Sequence, residues 1–256
     1  MYYIMVNFLE NLIMQNITAY VIMYLQMKTS PTNIKIISYN LKYHRASKEL
    51  ESLVNQYDAD ILCLQECRAN KLPDTIGDLV LGDTTPNYRL NIAIYYRKGR
   101  FSCTDSSSHE LKEAILERIF MPRMERLLVT KVYDRQSRQE ISIGAFHATS
   151  HVGSNALRRH QVRTAHNLLT ELSEGSPAIM VGDYNYILFK KKLKMCLKDT
   201  GYQMSLSDHP TYYFNKYLRV RLDMAAADLQ TEIQHVLALP KSKLSDHAPI
   251  LVQIAI

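Results

Sequence analysis

The chain has only four cysteines in 256 residues, and their spacing matches no zinc site. Cys63 and Cys67 fall on one predicted strand, where residues four apart are separated by about 13 Å. The two thiols therefore cannot share a metal ion or a disulfide. Reduced, structural cysteines are typical of a cytoplasmic protein, so we predict free thiols and a cytoplasmic location.

Other absences exclude further classes of protein. The sequence has no internal repeat, low-complexity tract or interdomain linker, and neither a glycine-rich phosphate loop nor a serine-nucleophile motif. Hydrophobic residues make up 46% of the chain and charged residues 22%, which excludes disordered and fibrous classes. A chain of this length forms either one large domain or two small ones, and we favour one.

Residues 1–27 are apolar but carry several amides and one acid, and they contain no lysine or arginine. A secretory signal would begin with a basic segment and end at a small-residue cleavage site, so we exclude one. The amides make a membrane span a poor alternative. We expect an extension outside the fold and a domain covering residues 28–256. The alternatives are a helix associated with a membrane and a helix packed on the domain.

The net charge of +6 comes from clustered basic residues. One cluster is Arg158, Arg159 and Arg163, and the others lie at residues 190–198 and 216–221. Such clusters favour a polyanionic partner, either nucleic acid or anionic lipid, and we predict that Arg158 contacts substrate. A solvated helix face explains the lysines at least as well.

From Ile34 onward, short β-rich segments alternate with helical patterns. Strands are predicted at IKIISYN, DILCLQE, YRLNIAIYYR, RLLVTKVYD, EISIGAFHAT, PAIMVGD, RVRLDMAA and PILVQIAI. Helices are predicted at ASKELESLVNQY, at NALRRHQVRTAHNLLTELS and in a lysine-rich segment near residue 190. Many strands with few intervening helices predict two sheets packed face to face with helices outside, rather than a doubly wound parallel sheet.

Polar side chains recur at the downstream ends of the predicted strands and just before the last strand. The series is Asn40, Glu66, His147, Asp183, Asn185, Asp223, Asp246 and His247. A single Asn or Asp at a strand end is usually a turn former or a helix cap. Here an explanation of that kind would have to apply separately to about seven residues. Because strand ends in a layered fold meet at one edge, one shared site explains the whole series.

The residue types in this series indicate the chemistry. Oxygen ligands without cysteine favour Mg²⁺, Mn²⁺ or Ca²⁺ over zinc. Asp183 and Asn185, two residues apart, would project from the same face of a strand. The two histidines supply a base and an acid, and the amides supply neutral donors to a charged oxygen. This combination predicts phosphoester hydrolysis assisted by a divalent cation.

Six segments, in this order, resemble the endonuclease/exonuclease/phosphatase (DNase I-like) superfamily over residues 33–256: ISYNL, ILCLQE, FHATS, VGDYN, RLD and LSDHAPI. Each motif alone is weakly specific, whereas the ordered set is strongly specific. The resemblance implies an α+β fold of four layers (α/β/β/α), in which two mixed β-sheets are flanked by helices. It also implies Mg²⁺-dependent attack of water on phosphorus, with Mn²⁺ as an alternative ion.

The resemblance further implies a set of metal-binding residues. Glu66 would hold the catalytic metal, with Asn40 beside it. Asp183 would bind metal or orient the attacking water, and Asp246 would add a metal or phosphate contact.

Catalytic roles follow from the same resemblance. His247 would be the general base, with Asp223 as its carboxylate partner. His147 would contact the scissile phosphate and protonate the leaving oxygen, and Asn185 would donate a hydrogen bond to a phosphate oxygen.

Departures from the family pattern bear on the substrate. Lys42 replaces an acid or amide of the AP endonucleases, and the chain has no tryptophan to serve their wedge and pocket aromatics. DNase I is more similar at Arg68, which would enter a minor groove, and at Tyr88, which we also predict to contact substrate. However, Leu90 stands where secreted DNases have an acid, so His147 lacks its expected partner.

Three hypotheses follow. The first is a phosphodiesterase acting on nucleic acid, favoured by Arg68 and the arginine clusters. The second is a phosphodiesterase or phosphatase for lipid or inositol phosphates, which would give residues 1–27 a membrane role. The third is an inactive binding module, which the intact set of polar residues opposes. We expect a monomer.

Overall fold

The computed structural model describes residues 32–86, 90–114, 125–150, 153–214 and 218–256. The predicted extension over residues 1–27 and the predicted substrate contact Tyr88 lie outside these ranges. In chain order the elements are β1 (Asn33–Asn40), a 3₁₀ helix (Arg45–Glu49), α1 (Leu50–Tyr57), β2 (Ile61–Cys67), a second 3₁₀ helix (Ala69–Lys71), β3 (Thr75–Ile76), β4 (Leu79–Thr84), β5 (Asn91–Arg97), β6 (Phe101–Glu110), β7 (Glu125–Asp134), β8 (Gln139–His147), α2 (Asn155–Ser173), β9 (Ala178–Asp183), α3 (Lys190–Lys198), β10 (Gln203–Leu206), β11 (Tyr212–Tyr213), β12 (Arg219–Val220), β13 (Asp223–Ala227), β14 (Glu232–Ala238) and β15 (Ile250–Ala255). Within this part of the chain, no helix has the length and apolar character needed to cross a membrane.

Two large mixed sheets contain most of these strands. The seven-stranded sheet has the order β14-β15-β1-β2-β5-β4-β3, and the six-stranded sheet has the order β10-β13-β9-β8-β7-β6. In the first sheet β1 and β2 run parallel, and in the second β8 and β9 run parallel. The other strand pairs are antiparallel. The predicted α+β fold of two mixed sheets is therefore confirmed.

Three buried apolar layers hold the fold together. The central layer joins the inner faces of both sheets and includes Ile36 of β1 and Val181 of β9. The outer face of the first sheet packs on α1, and the outer face of the second packs on α2 and α3. Because strands such as β1 and β9 are buried on both faces, they read in the sequence as continuous hydrophobic runs rather than alternating ones. The layers confirm the α/β/β/α arrangement.

The predicted strand RVRLDMAA is divided in the structure. Arg219–Val220 pairs with β11 in a separate two-stranded sheet, and β13 begins only at Asp223. The prediction that Asp223 ends a strand is therefore wrong. β13 runs antiparallel to β9, with Asp223 opposite Asp183, so its first residue reaches the same edge as the last residue of β9.

The strands that the sequence did not predict are peripheral. β14, β3, β10 and β6 form the four edges of the two sheets, and β4 is next to an edge. Edge strands bury less surface, and β6 has the sequence FSCTDSSSHE, in which apolar side chains do not alternate. Hydrophobic periodicity therefore carries little signal for them.

All four cysteines lie in the described part of the chain and are free thiols, as predicted. Cys63 and Cys67 are both buried on β2. Burial raises the pKa of the Cys67 thiol to about 12, which keeps it protonated and unreactive near neutral pH.

Gly182 allows β8 and β9 to approach closely at the edge that carries the polar residues. Its φ is +150°, and a Cβ atom added there would overlap the backbone carbonyl of Phe146. Phe146 and Gly182 are paired in the sheet, and the next pair is His147 with Asp183. Gly182 thus determines how these two polar residues are brought together.

We predict that Gly182→Ala lowers the free energy of unfolding by about 3 kcal/mol or more, because β8 and β9 must separate. Urea denaturation measures this change. Gly99→Ala is the matched control, since a Cβ there meets no described atom within 4 Å, and it should change stability by less than about 0.5 kcal/mol. Equal midpoints for Gly182→Ala and the wild type would contradict the argument.

Candidate active site

The side-chain amide of Asn40 joins the two sheets at their shared edge. Asn40 is the last residue of β1, and its Nδ2 atom donates to Glu66 Oε1 at 3.4 Å and to Asp183 Oδ2 at 3.2 Å. Glu66 belongs to the first sheet and Asp183 to the second. The parallel strands therefore bring together two carboxylates that are 117 residues apart in the sequence.

The amide orientation of Asn40 differs from that of a metal ligand. Its Oδ1 atom accepts a hydrogen bond from the backbone N–H of Lys42 at 3.0 Å, so the nitrogen faces the two acids. In this arrangement Asn40 orients the carboxylates. The sequence analysis placed Asn40 with the metal-binding residues. Binding a metal through Oδ1 would require the amide to turn over and lose the hydrogen bond from Lys42.

His147 lies against the same two carboxylates. Its Nε2 atom is 3.9 Å from Glu66 Oε1 and 3.8 Å from Asp183 Oδ2. His147 is the last residue of β8, which runs parallel to β9, so the strand ends place it beside Asp183. The structure brings His147 together with the acids, as expected from its position at a strand end.

His247 and Asp223 form a buried pair. The Nδ1 atom of His247 is 2.9 Å from Asp223 Oδ2, and because a carboxylate accepts, this nitrogen carries the proton. The Nε2 atom faces Asp183 Oδ2 at 3.6 Å. Burial alone would lower the pKa of His247, but Asp223 and Asp183 outweigh it and raise the pKa to about 10.

Negative charge is concentrated and buried at this edge. Asp183 and Asp223 are almost completely buried, and with His247 they offer ligand atoms that all lie within 4.8 Å of one another. Burial raises the pKa of Asp183, and Asp223 adds to the rise, whereas His247 and His147 oppose it. Among the described residues, Oδ1 of Asp223 has no hydrogen-bond partner. Buried carboxylates are stable only when paired. Asp223 pairs with His247, whereas Asp183, joined to Glu66 through the Asn40 amide, fits a hard divalent cation.

Hydrogen bonds from a segment with left-handed backbone hold Glu66 in place. Lys42, Tyr43 and His44 have φ values of 47°, 57° and 68°, and Glu66 itself has a φ of 53°. The backbone N–H of Tyr43 donates to Glu66 Oε2 at 3.0 Å, and that of His44 donates to the carbonyl of Glu66 at 2.8 Å. Left-handed conformations of non-glycine residues cost energy and cluster at functional sites.

Asn185 does not project from a strand. β9 ends at Asp183, and Asn185 has a left-handed φ of 48°, so the prediction that both side chains leave one strand face is wrong. The backbone N–H of Asn185 instead donates to Asp183 Oδ1 at 2.8 Å, and its Nδ2 atom donates to the carbonyl of Ala148 at 3.1 Å. Asn185 thus holds Asp183 and the residue after His147, and its contact with phosphate stays a prediction.

Asp246 and Ser245 precede His247 and differ in their contacts. Asp246 Oδ2 pairs with Lys42 Nζ at 3.0 Å, and its role in binding metal stays a prediction. Ser245 was missed by the sequence analysis, although it lies inside the LSDHAPI motif. Its hydroxyl donates to the carbonyl of Asn40 at 2.8 Å and accepts from the backbone N–H of His247 at 3.1 Å, which fixes His247 beside β1.

Lys190 is a second residue that the sequence analysis missed. Its Nζ atom donates to the carbonyl of Arg221 at 2.7 Å, two residues before Asp223. Burial lowers the pKa of Lys190 to about 8, although Asp183 and Asp223 act in the opposite direction. Lys190 therefore supports the chain that leads into β13 and places a positive charge near the buried acids.

The two predicted arginine contacts have different surroundings. Arg68 is exposed and lines an open pocket of about 540 Å³, together with residues Tyr43, His44, Arg45, Ser47 and Lys48. Arg158 is only 5% exposed, and its guanidinium donates to the carbonyls of Thr149 and Ser150. It thus holds the segment after His147 in position, and the prediction that Arg158 contacts substrate is not supported.

Residues 37–247 match the sequence profile described as "Endonuclease/Exonuclease/phosphatase family", and this interval contains every residue of the site from Asn40 to His247. Comparison with curated proteins finds no match.

Solved structures share the fold at low sequence identity. A family protein from Bacteroides thetaiotaomicron has a TM-score of 0.71 and 17% identity, covering 89% of this chain and 99% of its own. TDP2 of D. rerio, complexed with a single-strand DNA product, has a TM-score of 0.68 and 17% identity, covering 87% of this chain and 99% of its own. The mannosyl-6-phosphatase of Bacteroides thetaiotaomicron VPI-5482 has a TM-score of 0.67 and 18% identity, covering 87% of this chain and 100% of its own. Because the family profile matches most of the sequence, this chain belongs to the endonuclease/exonuclease/phosphatase family.

Proposed function

We propose that this protein is a Mg²⁺-dependent phosphodiesterase that cleaves nucleic acid by attack of water on phosphorus. The observation that carries the proposal is the His247 side chain, which is held by Asp223 at 2.9 Å and faces Asp183 at 3.6 Å. Membership of a family of phosphoester hydrolases supports the class of reaction.

His247 is the proposed general base. The hydrogen bond from Nδ1 to Asp223 fixes the ring so that Nε2 is the nitrogen that accepts a proton from water. Asp223 also stabilises the imidazolium that forms, as a buried carboxylate partner does in other hydrolases. Asp183, which lies next to Nε2, orients the water.

Glu66 and Asp183 are the proposed metal ligands. Both carboxylates accept a hydrogen bond from the Asn40 amide. Their oxygens are hard ligands for a metal ion, and no cysteine is among the residues of the site. When bound there, Mg²⁺ or Mn²⁺ supplies positive charge that stabilises the phosphoryl oxygens and offsets Asp183, so that the pKa of His247 falls towards that of a general base.

His147 is the proposed donor to the leaving oxygen. Its Nε2 atom lies within 4 Å of Glu66 and Asp183, the two proposed metal ligands. A histidine that carries a proton on this side can donate it to the oxygen that leaves phosphorus. The proton taken by His247 and the proton given by His147 balance the hydrolysis.

Nucleic acid is the proposed substrate. The open pocket is lined by Arg45, Lys48 and Arg68, which fits a chain of phosphates. Two other lining residues, Tyr43 and His44, donate backbone hydrogen bonds to Glu66. The structural neighbour TDP2 is complexed with single-strand DNA. A second candidate is a phosphate ester of a lipid or polyol, since another neighbour is a mannosyl-6-phosphatase.

We predict that the purified protein with MgCl₂ hydrolyses bis(p-nitrophenyl) phosphate and nicks plasmid DNA, and that EDTA stops both reactions. His247→Ala should lower kcat by about 10²- to 10⁴-fold, since it removes the base. His235→Ala is the matched control because His235 is exposed on β14, and it should retain wild-type activity.

Three results would contradict this proposal. Full activity of His247→Ala would remove the proposed base. Release of phosphocholine or inorganic phosphate with plasmid left whole would support the second candidate substrate. Tight DNA binding without turnover would support an inactive binding module.

We predict that Mg²⁺ raises the free energy of unfolding by about 1.4 kcal/mol when its concentration is ten times Kd. Glu66→Gln and Asp183→Asn should each lose most of this gain, because each removes a charged ligand. Thermal unfolding in MgCl₂ and in EDTA measures the effect.

Glu51→Gln is the control for the thermal measurement, because this exposed acid lies on α1 away from the site. It should retain the full gain from Mg²⁺. A wild-type protein with the same Tm in MgCl₂ and EDTA, or full gains in both ligand variants, would show that these acids do not bind the ion.

A further inference from the structure

Three exposed aromatic side chains lie on separate loops that leave the active site. Tyr43, Phe189 and Phe214 are 43%, 63% and 68% exposed. Tyr43 follows Asn40 by three residues, and Phe189 follows Asn185 by four. Large exposed apolar side chains grouped around one site mark a surface that binds a partner.

Hydrogen bonds and a ring contact connect these loops to the active site. The backbone N–H of Tyr43 donates to the Glu66 carboxylate. Phe214 is two residues from Tyr212, whose ring centroid is 4.8 Å from that of His247. Lys190, which follows Phe189, donates to the carbonyl of Arg221, two residues before Asp223. The three aromatic residues therefore lie on loops that contact residues in or next to the active site.

The loop at Phe189 is strained. Phe189 has a left-handed φ of 63°, which costs energy for a bulky residue, and it directly precedes α3. Leu188 beside it is 61% exposed. Strain that accompanies exposed apolar side chains favours a binding role over a packing role, because packing would bury them.

Positively charged side chains lie on or beside each of the three loops. Lys192 Nζ is 5.5 Å from the ring of Phe189. In the Phe214 loop the charges lie against the preceding residue, since the ring of Tyr213 has Arg219 at 5.3 Å and Lys241 at 5.5 Å. Tyr43 shares its pocket with Arg45, Lys48 and Arg68.

We propose that these three loops bind single-stranded nucleic acid, with unpaired bases stacked on Tyr43, Phe189 and Phe214 and phosphates on the adjacent cations. The inference rests on the proposed function and narrows its substrate. Every base offers a π face to an aromatic ring, whereas a duplex hides these faces within its own stack. An anionic lipid surface could bind Leu188 and Phe189. Exposed aromatic side chains with cations on the same three loops favour single-stranded nucleic acid instead.

Fluorescence anisotropy tests the proposal with a labelled 12-nucleotide single strand and the matching duplex. The full-length protein is used in EDTA, so that binding is measured without cleavage. We expect the single strand to bind at least about tenfold more tightly than the duplex. Phe189→Ala and Phe214→Ala should each weaken single-strand binding by about fivefold or more.

Two further variants identify the nature of the contact. Phe189→Leu keeps an apolar side chain but loses the aromatic face, so it should weaken strand binding almost as much as Phe189→Ala. Leu229→Ala is the control. Leu229 is 80% exposed and follows the last residue of β13, whereas Asp223 is the first residue of that strand. This variant should bind the single-stranded DNA as the wild type does.

Hydrolysis of bis(p-nitrophenyl) phosphate, measured in parallel, separates this inference from the proposed function. Suppose hydrolysis occurs, but the duplex binds as tightly as the single-stranded DNA, or the alanine variants bind single-stranded DNA as tightly as the wild type. The inference is then overturned and the proposed function stands. If no hydrolysis occurs, the proposed function fails. The inference is then judged only by whether the protein binds single-stranded DNA more tightly than the duplex. Phe189-dependent binding to phosphatidylserine vesicles, without strand binding, would also overturn it.

Discussion

The Asn40 amide is the contact on which the site depends, because it donates to one acid from each sheet. The two parallel strand pairs end at the same edge, and without a donor between them the half-buried Glu66 and the buried Asp183 would repel each other. The contact is reinforced from both sides. Ser245 links the carbonyl of Asn40 to His247, and Asn185 holds the other oxygen of Asp183.

This edge is costly to the fold, which favours a functional origin. Asp183 and Asp223 are buried, Asp223 has an oxygen without a partner among the described residues, and Glu66 adopts a left-handed conformation. Each feature lowers stability on its own. Elsewhere the described chain is a conventional sandwich with three apolar layers. Buried carboxylates and a strained acidic residue at one edge of such a scaffold are typical of the active site of an enzyme.

The sequence predicted the centre of the fold better than its periphery. β1, β2, β8 and β9 are buried on both faces, so their hydrophobic runs were recognised, whereas edge strands such as β6 lack that pattern. The helix Asn155–Ser173 was predicted at its observed bounds, because Ser154 caps it and an apolar face continues to its end.

The candidate site was predicted as a set of residues but not as an arrangement. Strand ends that meet at one edge explain why Asn40, His147 and Asp183 converge. Side-chain direction depends on φ and on hydrogen bonds that sequence patterns do not report, so Asn185 was misplaced. The same limit applies to Arg158. An arginine in a basic cluster is expected to be exposed, whereas the guanidinium of Arg158 is buried against backbone carbonyls.

The central claim is that the carboxylates of Glu66 and Asp183 hold one hard cation beside His247. A crystal structure of the protein grown with MnCl₂, with anomalous diffraction recorded at the manganese edge, tests it most directly. The account predicts an anomalous peak within coordination distance of both carboxylates. A peak elsewhere in the molecule, or no peak while Glu66 and Asp183 remain adjacent, would contradict it.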